Sequence, residues 1–211
     1  MLLAAGLVAI ISVAAPSPSD ACLREWEMIL REESVGTSRA ERLLSQGYLR
    51  RSFRNAGRAY RSLRRNRGED PARASRIERR LKVVLAVTTV RLDGRVDRRR
   101  WRTPRAADKT ARTENLRWAV TQLESLDQDD PQVQARLGEA YARLMDRQAD
   151  AARVLRGLAE RDLMPDVYGY AALARTQRSL GEVADANLAA QVCRRRANRA
   201  QQGICPAFGP T

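Results

Sequence analysis

The chain has 211 residues, of which 39 are basic and 25 acidic, and it contains no histidine, so its formal net charge at pH 7 is +14. Histidine is the commonest general base and metal ligand, and three cysteines without it cannot complete the usual zinc sites, so we expect no catalytic activity, no metal and no cofactor. Aromatic residues make up only 5% of the chain, a composition that suits helices better than a β-sandwich.

The N-terminus contains an uncharged, almost wholly apolar run of 14 residues, Leu2–Ala15. A helix that spans a bilayer needs roughly 20 apolar residues, so the run is more typical of a secretory signal. We predict a signal peptide over residues 1–21, cleaved after Ala21, and export to the bacterial periplasm. No basic residue precedes the run, and an uncleaved anchor or an internal hydrophobic helix are the alternatives. Cys22 would become the first mature residue, with an unassigned role.

The positive charge is concentrated in one half of the chain. Residues 22–110 carry a net charge of +14, whereas residues 111–211 carry +1. This difference suggests two surfaces with different roles. We therefore divide the mature chain into a basic helical region (22–110), a repeat region (111–199) and an irregular C-terminal tail (200–211).

The basic region begins with helical patterns. A short helix is predicted up to Glu33, with a break at Gly36-Thr37. Ser38 and Glu41 then have the spacing of a capping box, and apolar residues follow at helical spacing as far as Leu63. Two alternatives are open for this stretch. It is either one continuous helix over residues 43–66 or two antiparallel helices divided at Asn55-Ala56-Gly57.

The next helix has a clear beginning and an ambiguous end. Asp70-Pro71 provides an N-cap and a proline at the first helical position. The run Lys82–Leu92 is rich in β-branched residues, so a strand that turns at Asp93-Gly94 is one possibility. The helical period continues through the run, and we predict a helix that stops at Gly94. A basic connector follows, and Thr103-Pro104 is predicted to begin another helix.

Beyond residue 110, apolar residues recur at helical spacing in a series of short segments. Asp130-Pro131 and Pro165-Asp166 open two of them 34 residues apart. A helical hairpin of this size cannot bury its apolar face alone and must stack on its neighbours. The predicted helices are residues 114–126, Pro131–Leu144, Asp150–Glu160, Asp166–Leu180 and Glu182–Ala197.

Two stretches of this region resemble tetratricopeptide repeats. Leu137-Gly138-Glu139-Ala140-Tyr141 has the family's Leu-Gly-x-x-Tyr pattern, and Leu180–Ala186 matches its turn and the small residue that opens its second helix. The resemblance is clearest over residues 116–197. It implies an all-α fold of tandem antiparallel helical hairpins that form a short solenoid, and an ordinary helical bundle is the alternative.

The resemblance also implies where a partner would bind. The first helix of each repeat usually lines a concave face, and a protein or peptide is the usual partner. We expect exposed polar or amphipathic side chains off the apolar stripe to contact it. These candidate partner-binding residues are Arg136, Glu139, Arg143, Tyr168 and Arg175.

A second candidate surface is basic. If residues 43–66 form one helix, five arginines fall within an arc of about 80°. Such clustered charges repel one another unless an anion lies against them. Lipid head groups, an acidic protein face or nucleic acid could supply it, although aromatic side chains interleave poorly with these arginines and make nucleic acid a poor fit. The candidate anion-binding residues are Arg50, Arg54, Arg58, Arg61 and Arg65.

Cys193 and Cys205 are predicted to form a disulfide that ties the tail to the last helix, which agrees with an exported protein. Together these features predict an exported, non-catalytic helical-repeat adaptor that binds a protein or peptide, with the basic half near an anionic surface. The first alternative is a basic helical protein whose function is to bind polyanions. The second is an enzyme that uses carboxylates in a helical toroid, for which the sequence has no motif.

Overall fold

A computed structural model describes residues 34–65, 70–104, 108–199 and 201–208 of the chain. Within these ranges the regular structure is helical, apart from one isolated β-bridge between Asp97 and Arg102. The helices are α1 (residues 34–45), α2 (Leu49–Arg65), α3 (Pro71–Arg91), α4 (Lys109–Glu124), α5 (Pro131–Tyr141), α6 (Gln148–Glu160), α7 (Val167–Ser179) and α8 (Val183–Arg196). The predicted signal peptide, Cys22 and the predicted helix up to Glu33 lie outside the described residues.

Consecutive helices pack against one another in a hairpin-like succession, α3 with α4, α5 with α6 and α7 with α8. Helix α5 also contacts both α3 and α7. Each of these three helices is the first of its hairpin, and together these first helices form one row. Helix α1 joins the same side through an ion pair between Glu41 and Arg80 of α3. The prediction of an all-α, solenoid-like arrangement of stacked hairpins is confirmed. Its core consists of two buried clusters, one beneath α1 to α5 and one beneath α5 to α8.

The two N-terminal helices, α1 and α2, begin and end at other residues than the sequence predicts. Helix α1 runs without interruption through Gly36-Thr37, so the predicted break and the capping box at Ser38 are wrong. The chain turns instead at Gly47, whose φ of +81° suits glycine. Helix α2 then continues through Gly57, so the alternative of a division at Asn55–Gly57 is also wrong. The alternative of one continuous helix over residues 43–66 is wrong at its start, because α2 begins only at Leu49. Gly57 is buried under Trp101, where an added Cβ would clash with the Cβ of Trp101.

Helix α3 settles the ambiguity of the β-branched run. The Asp70 side chain accepts a hydrogen bond from the Arg73 backbone N–H at 2.8 Å, and the helix continues to Arg91, so the predicted helix over this run is confirmed. The hydroxyls of Thr88 and Thr89 donate to backbone carbonyls one turn earlier, which allows both to be buried inside a helix. Two left-handed residues, Asp93 and Gly94, then reverse the chain.

The prediction of a helix that begins at Thr103-Pro104 is wrong. Neither residue is helical, and α4 begins at Lys109, where the Asp108 side chain accepts a hydrogen bond from the Ala111 backbone N–H. An aspartate cap satisfies an otherwise free N–H group at the start of a helix. The helix therefore begins directly after Asp108 and not at Thr103-Pro104.

The repeat region follows the predicted pattern closely. Asp130 caps α5, with Pro131 at its first position, and Asp166 caps α7. Gly138 on α5 lies against Leu155 of α6, and a Cβ added at Gly138 would come within 2.6 Å of the Leu155 Cγ. This glycine therefore allows the second helix of the hairpin to approach closely. Gly181, with a φ of +83°, makes the turn between α7 and α8.

Candidate functional site

A cleft of about 550 Å³ opens on the side of the molecule formed by the first helices. Its walls consist of the turn between α1 and α2, the end of α3, the end of α5 with the residues just after it, one side of α7, and the C-terminal segment. Four of the five candidate partner-binding residues line it, namely Glu139, Arg143, Tyr168 and Arg175. The structure therefore brings together side chains that lie up to 36 residues apart in the chain.

The floor of this cleft is an ionic cluster centred on Arg91, the last residue of α3. Its guanidinium donates two hydrogen bonds to the Glu139 carboxylate, at 3.0 and 2.9 Å, and a third to Asp166 at 2.8 Å. The side chains of Arg91 and Glu139 are each only 6% exposed. Burial alone would lower the pKa of Arg91, but the two carboxylates outweigh burial and raise the pKa above its ordinary value. Arg91 is therefore firmly charged.

This cluster corrects one prediction. Glu139 was expected to be exposed, whereas it is buried and held by Arg91 from another helix. Asp166 caps α7 and also accepts from Arg91, so the cluster links the end of α3 and the start of α7 to the last turn of α5. Sequence reasoning did not single out Arg91, because a charged residue at the end of an apolar helix carries no local signal of its distant partners.

Tyr168 packs on the same guanidinium. The Arg91 Cζ lies 3.5 Å from the centroid of the Tyr168 ring, which is close enough for a strong cation–π contact. Burial raises the pKa of the Tyr168 hydroxyl. The ring is half-buried and forms part of the cleft wall, so it can present an aromatic surface to a ligand while it covers the ionic cluster.

Two arginines face the cleft with few acidic partners. Arg143 lies 3.9 Å from Asp93, a loose ion pair, and Arg175 donates to the Ile204 backbone carbonyl at 2.6 Å. Burial and the nearby charge of Arg143 lower the pKa of Arg175. No ion pair to Arg175 occurs within the described part of the chain. The two guanidiniums thus form a locally positive wall that suits a carboxylate.

Arg136, the fifth candidate residue, lies elsewhere. It lines a neighbouring cleft of about 650 Å³ between α1, α3 and the start of α5, where Glu41, Asp127 and Asp130 also lie. Arg91 contributes to the walls of both clefts. The two clefts follow the same row of first helices, but only the first one contains the other four candidates.

The C-terminal tail completes the cleft wall, and a disulfide holds it there. The Sγ atoms of Cys193 and Cys205 lie 2.04 Å apart, and their Cα atoms 5.7 Å apart, so the predicted disulfide is confirmed. The described residues of the tail, 201–208, are irregular apart from one short 3₁₀ turn, Gln202–Ile204. Gln201 and Ile204 of the tail line the cleft, together with Asn198 just before it.

The five candidate anion-binding arginines are brought together as well. All of them lie on α2, and all are exposed. We refer to them as the arginine face, which consists of Arg50, Arg54, Arg58, Arg61 and Arg65. Because α2 continues through Gly57, the face is not divided.

Across the described ranges, no cluster of three or more His, Cys, Asp or Glu side chains has the arrangement of a metal site. No helix in the same ranges is both long and apolar enough to cross a membrane. Comparison with known proteins gives no family model, no curated protein and no solved structure that matches this chain.

Proposed function

We propose that this protein is a non-catalytic adaptor that binds a protein or peptide segment in the cleft of about 550 Å³ on its first helices. The observation that carries the proposal is the convergence of Arg143, Tyr168 and Arg175 on one cleft. These residues come from two neighbouring helical hairpins, α5 with α6 and α7 with α8. Stacked hairpins of this kind commonly present such a surface to a macromolecular partner.

The chemistry of the walls favours an extended segment with at least one carboxylate. Arg143 and Arg175 supply guanidiniums that can bind a carboxylate in two-point fashion, while the rings of Tyr48 and Tyr168 supply amphipathic surface. Tyr48 is 54% exposed at the cleft rim, and the Arg51 Cζ lies 5.6 Å from the centroid of its ring. Gln201 and the tail can offer hydrogen bonds to a peptide backbone.

The cleft is organised before any partner arrives. The Arg91 cluster joins α3, α5 and α7, and the disulfide fixes the tail. A preformed surface loses less conformational entropy on binding, which supports affinity for a flexible partner. Because the cleft is already rigid, most of the conformational ordering on binding takes place in the partner.

We place the adaptor outside the cytoplasm, in the bacterial periplasm. The 14-residue apolar run at the N-terminus supports export, and the disulfide is compatible with an oxidising compartment. The apolar run and the disulfide are the two features that support this proposed localisation.

Site-specific photo-crosslinking in intact cells tests the proposal. A photoreactive residue at position 48, on the cleft rim, should yield a discrete crosslinked partner. The same residue at position 188, an exposed leucine of α8 away from the cleft, should not. The position-48 crosslink should disappear when Arg143 and Arg175 are both changed to glutamine. Equal crosslinking from both positions, or persistence of the crosslink in the arginine variant, would contradict the proposal.

A further inference from the structure

Helix α2 has an unusual charge distribution. Its 17 residues, Leu49–Arg65, include seven arginines and no acidic residue. All seven are exposed, and none forms an ion pair with any other residue in the ranges that the structure describes. By contrast, Arg80 on the neighbouring helix α3 pairs with Glu41, and Lys82 pairs with Glu78. The charge of α2 is therefore left uncompensated by the fold.

The opposite side of α2 is fully used by the core. Phe53 and Tyr60 pack on Trp101, with ring centroids 5.8 and 5.4 Å apart, and Leu63 is buried in the same cluster. The arginine face points away from this packed side. Its five members span 16 residues, from Arg50 to Arg65, or about 22 Å along the helix axis, within an arc of about 80°. This is a straight, nearly flat row of guanidiniums.

Neighbouring like charges three and four residues apart on a helix repel one another and destabilise it. A row of five such charges persists at a cost to stability, and an external anionic surface would relieve the repulsion. Guanidiniums bind phosphate oxygens through paired hydrogen bonds, so a surface of phosphate groups is the best chemical match.

Two observations favour lipid head groups over nucleic acid as the source of phosphate. The aromatic side chains of α2 face Trp101, so the arginine face has no ring on which a base could stack. In addition, the disulfide fits an oxidising compartment, where an envelope lipid is the more accessible polyanion. No exposed large apolar side chain of α2 is available to insert into a membrane.

We propose that the arginine face docks this protein on an anionic phospholipid surface, by electrostatic contact with head-group phosphates and without insertion into the hydrocarbon layer. The helix lies flat on the membrane, and the cleft on the first helices is a separate surface. Because the contact is purely electrostatic, it should weaken steeply with ionic strength.

Vesicle sedimentation tests this docking. The purified protein is mixed with vesicles of phosphatidylcholine alone or with 30% phosphatidylglycerol, at low and high salt. We expect binding only to the vesicles with phosphatidylglycerol, and release at high salt. The variant R54Q/R58Q/R61Q should bind about 100-fold more weakly, since each basic residue near an anionic surface contributes about fivefold. Its melting temperature should be unchanged or higher, because repulsion is removed.

A matched control separates the arginine face from net charge. The variant R161Q/R178Q/R195Q removes the same charge from exposed arginines in the C-terminal half and should bind within a few-fold of the unaltered protein. Equal loss in the two triple variants would overturn the proposal, as would undiminished binding by R54Q/R58Q/R61Q. It would also be overturned if a single-stranded or duplex oligonucleotide, at equal phosphate concentration, displaced the protein from the vesicles.

Discussion

The Arg91 guanidinium and the Glu139 carboxylate form a two-point ion pair in the interior of the molecule, with N–O distances of 3.0 and 2.9 Å. The two residues are 48 positions apart and belong to different hairpins. Their pairing, extended by Asp166, fixes how α3, α5 and α7 lie beneath the cleft. The candidate binding surface thus rests on a buried polar contact as well as on apolar packing.

Removal of one partner of this pair should destabilise the protein strongly. We expect R91M to cost about 3–5 kcal/mol in the free energy of unfolding, because Glu139 would be left buried without its counter-charge. The double variant R91M/E139L should recover a large part of that loss, since both charges are then absent. Urea denaturation of the single and double variants gives the coupling energy. Additive losses would show that the two side chains are not coupled.

The close approach of α5 and α6 should not tolerate a methyl group at position 138. In G138A the new Cβ meets Leu155, and such overpacking typically costs 1–3 kcal/mol, more than the roughly 1 kcal/mol that alanine gains over glycine in a helix. G157A is the matched control, because nothing lies within 4 Å of a Cβ at Gly157 of α6. Thermal unfolding should show a lower melting temperature for G138A and a higher one for G157A. A stabilised G138A would contradict the observed packing.

The disulfide should stabilise both the fold and the cleft wall. The variant C193S/C205S should lose about 3 kcal/mol, the chain-entropy estimate for a loop of this size. Alkylation of the unreduced protein followed by intact-mass measurement should show two protected thiols. Alkylation of Cys193 and Cys205 without reductant would refute the bridge.

Export makes a separate prediction. Cell fractionation should recover a mature form of about 190 residues outside the cytoplasm, as the apolar run and the small residue Ala21 indicate. An unprocessed protein in the cytoplasm would contradict this localisation.

Local signals in the sequence were sufficient for much of the helical architecture. The Asp-Pro pairs at Asp70 and Asp130 mark helix starts because capping is a short-range interaction, and the turn at Gly181 was visible for the same reason. Gly47 and Gly57 show where local signals fail. Gly47 makes a turn, whereas Gly57 accommodates Trp101, which lies 44 residues further along the chain.

The candidate site was predictable only in part. Arg143, Tyr168 and Arg175 were chosen from their positions on first helices, and they do line one cleft. Glu139 was chosen by the same rule, but its burial depends on Arg91, a partner whose position no periodic pattern specifies. Arg136 was chosen by the same rule, but it lines the neighbouring cleft between α1, α3 and the start of α5.

The central claim is that the cleft captures a carboxylate-bearing protein or peptide. The most direct measurement compares how tightly two variants bind the partner that crosslinking identifies. One is R143Q/R175Q and the other is its charge-matched control, R153Q/R195Q, and in both variants the replaced arginines are exposed. We predict at least about a tenfold loss for R143Q/R175Q, because hydrogen bonds to charged groups contribute roughly 1.5–3 kcal/mol each, with little change in the control. R54Q/R58Q/R61Q should also bind the partner normally. If that arginine-face variant abolished capture while R143Q/R175Q bound as well as the unaltered protein, the account would be contradicted.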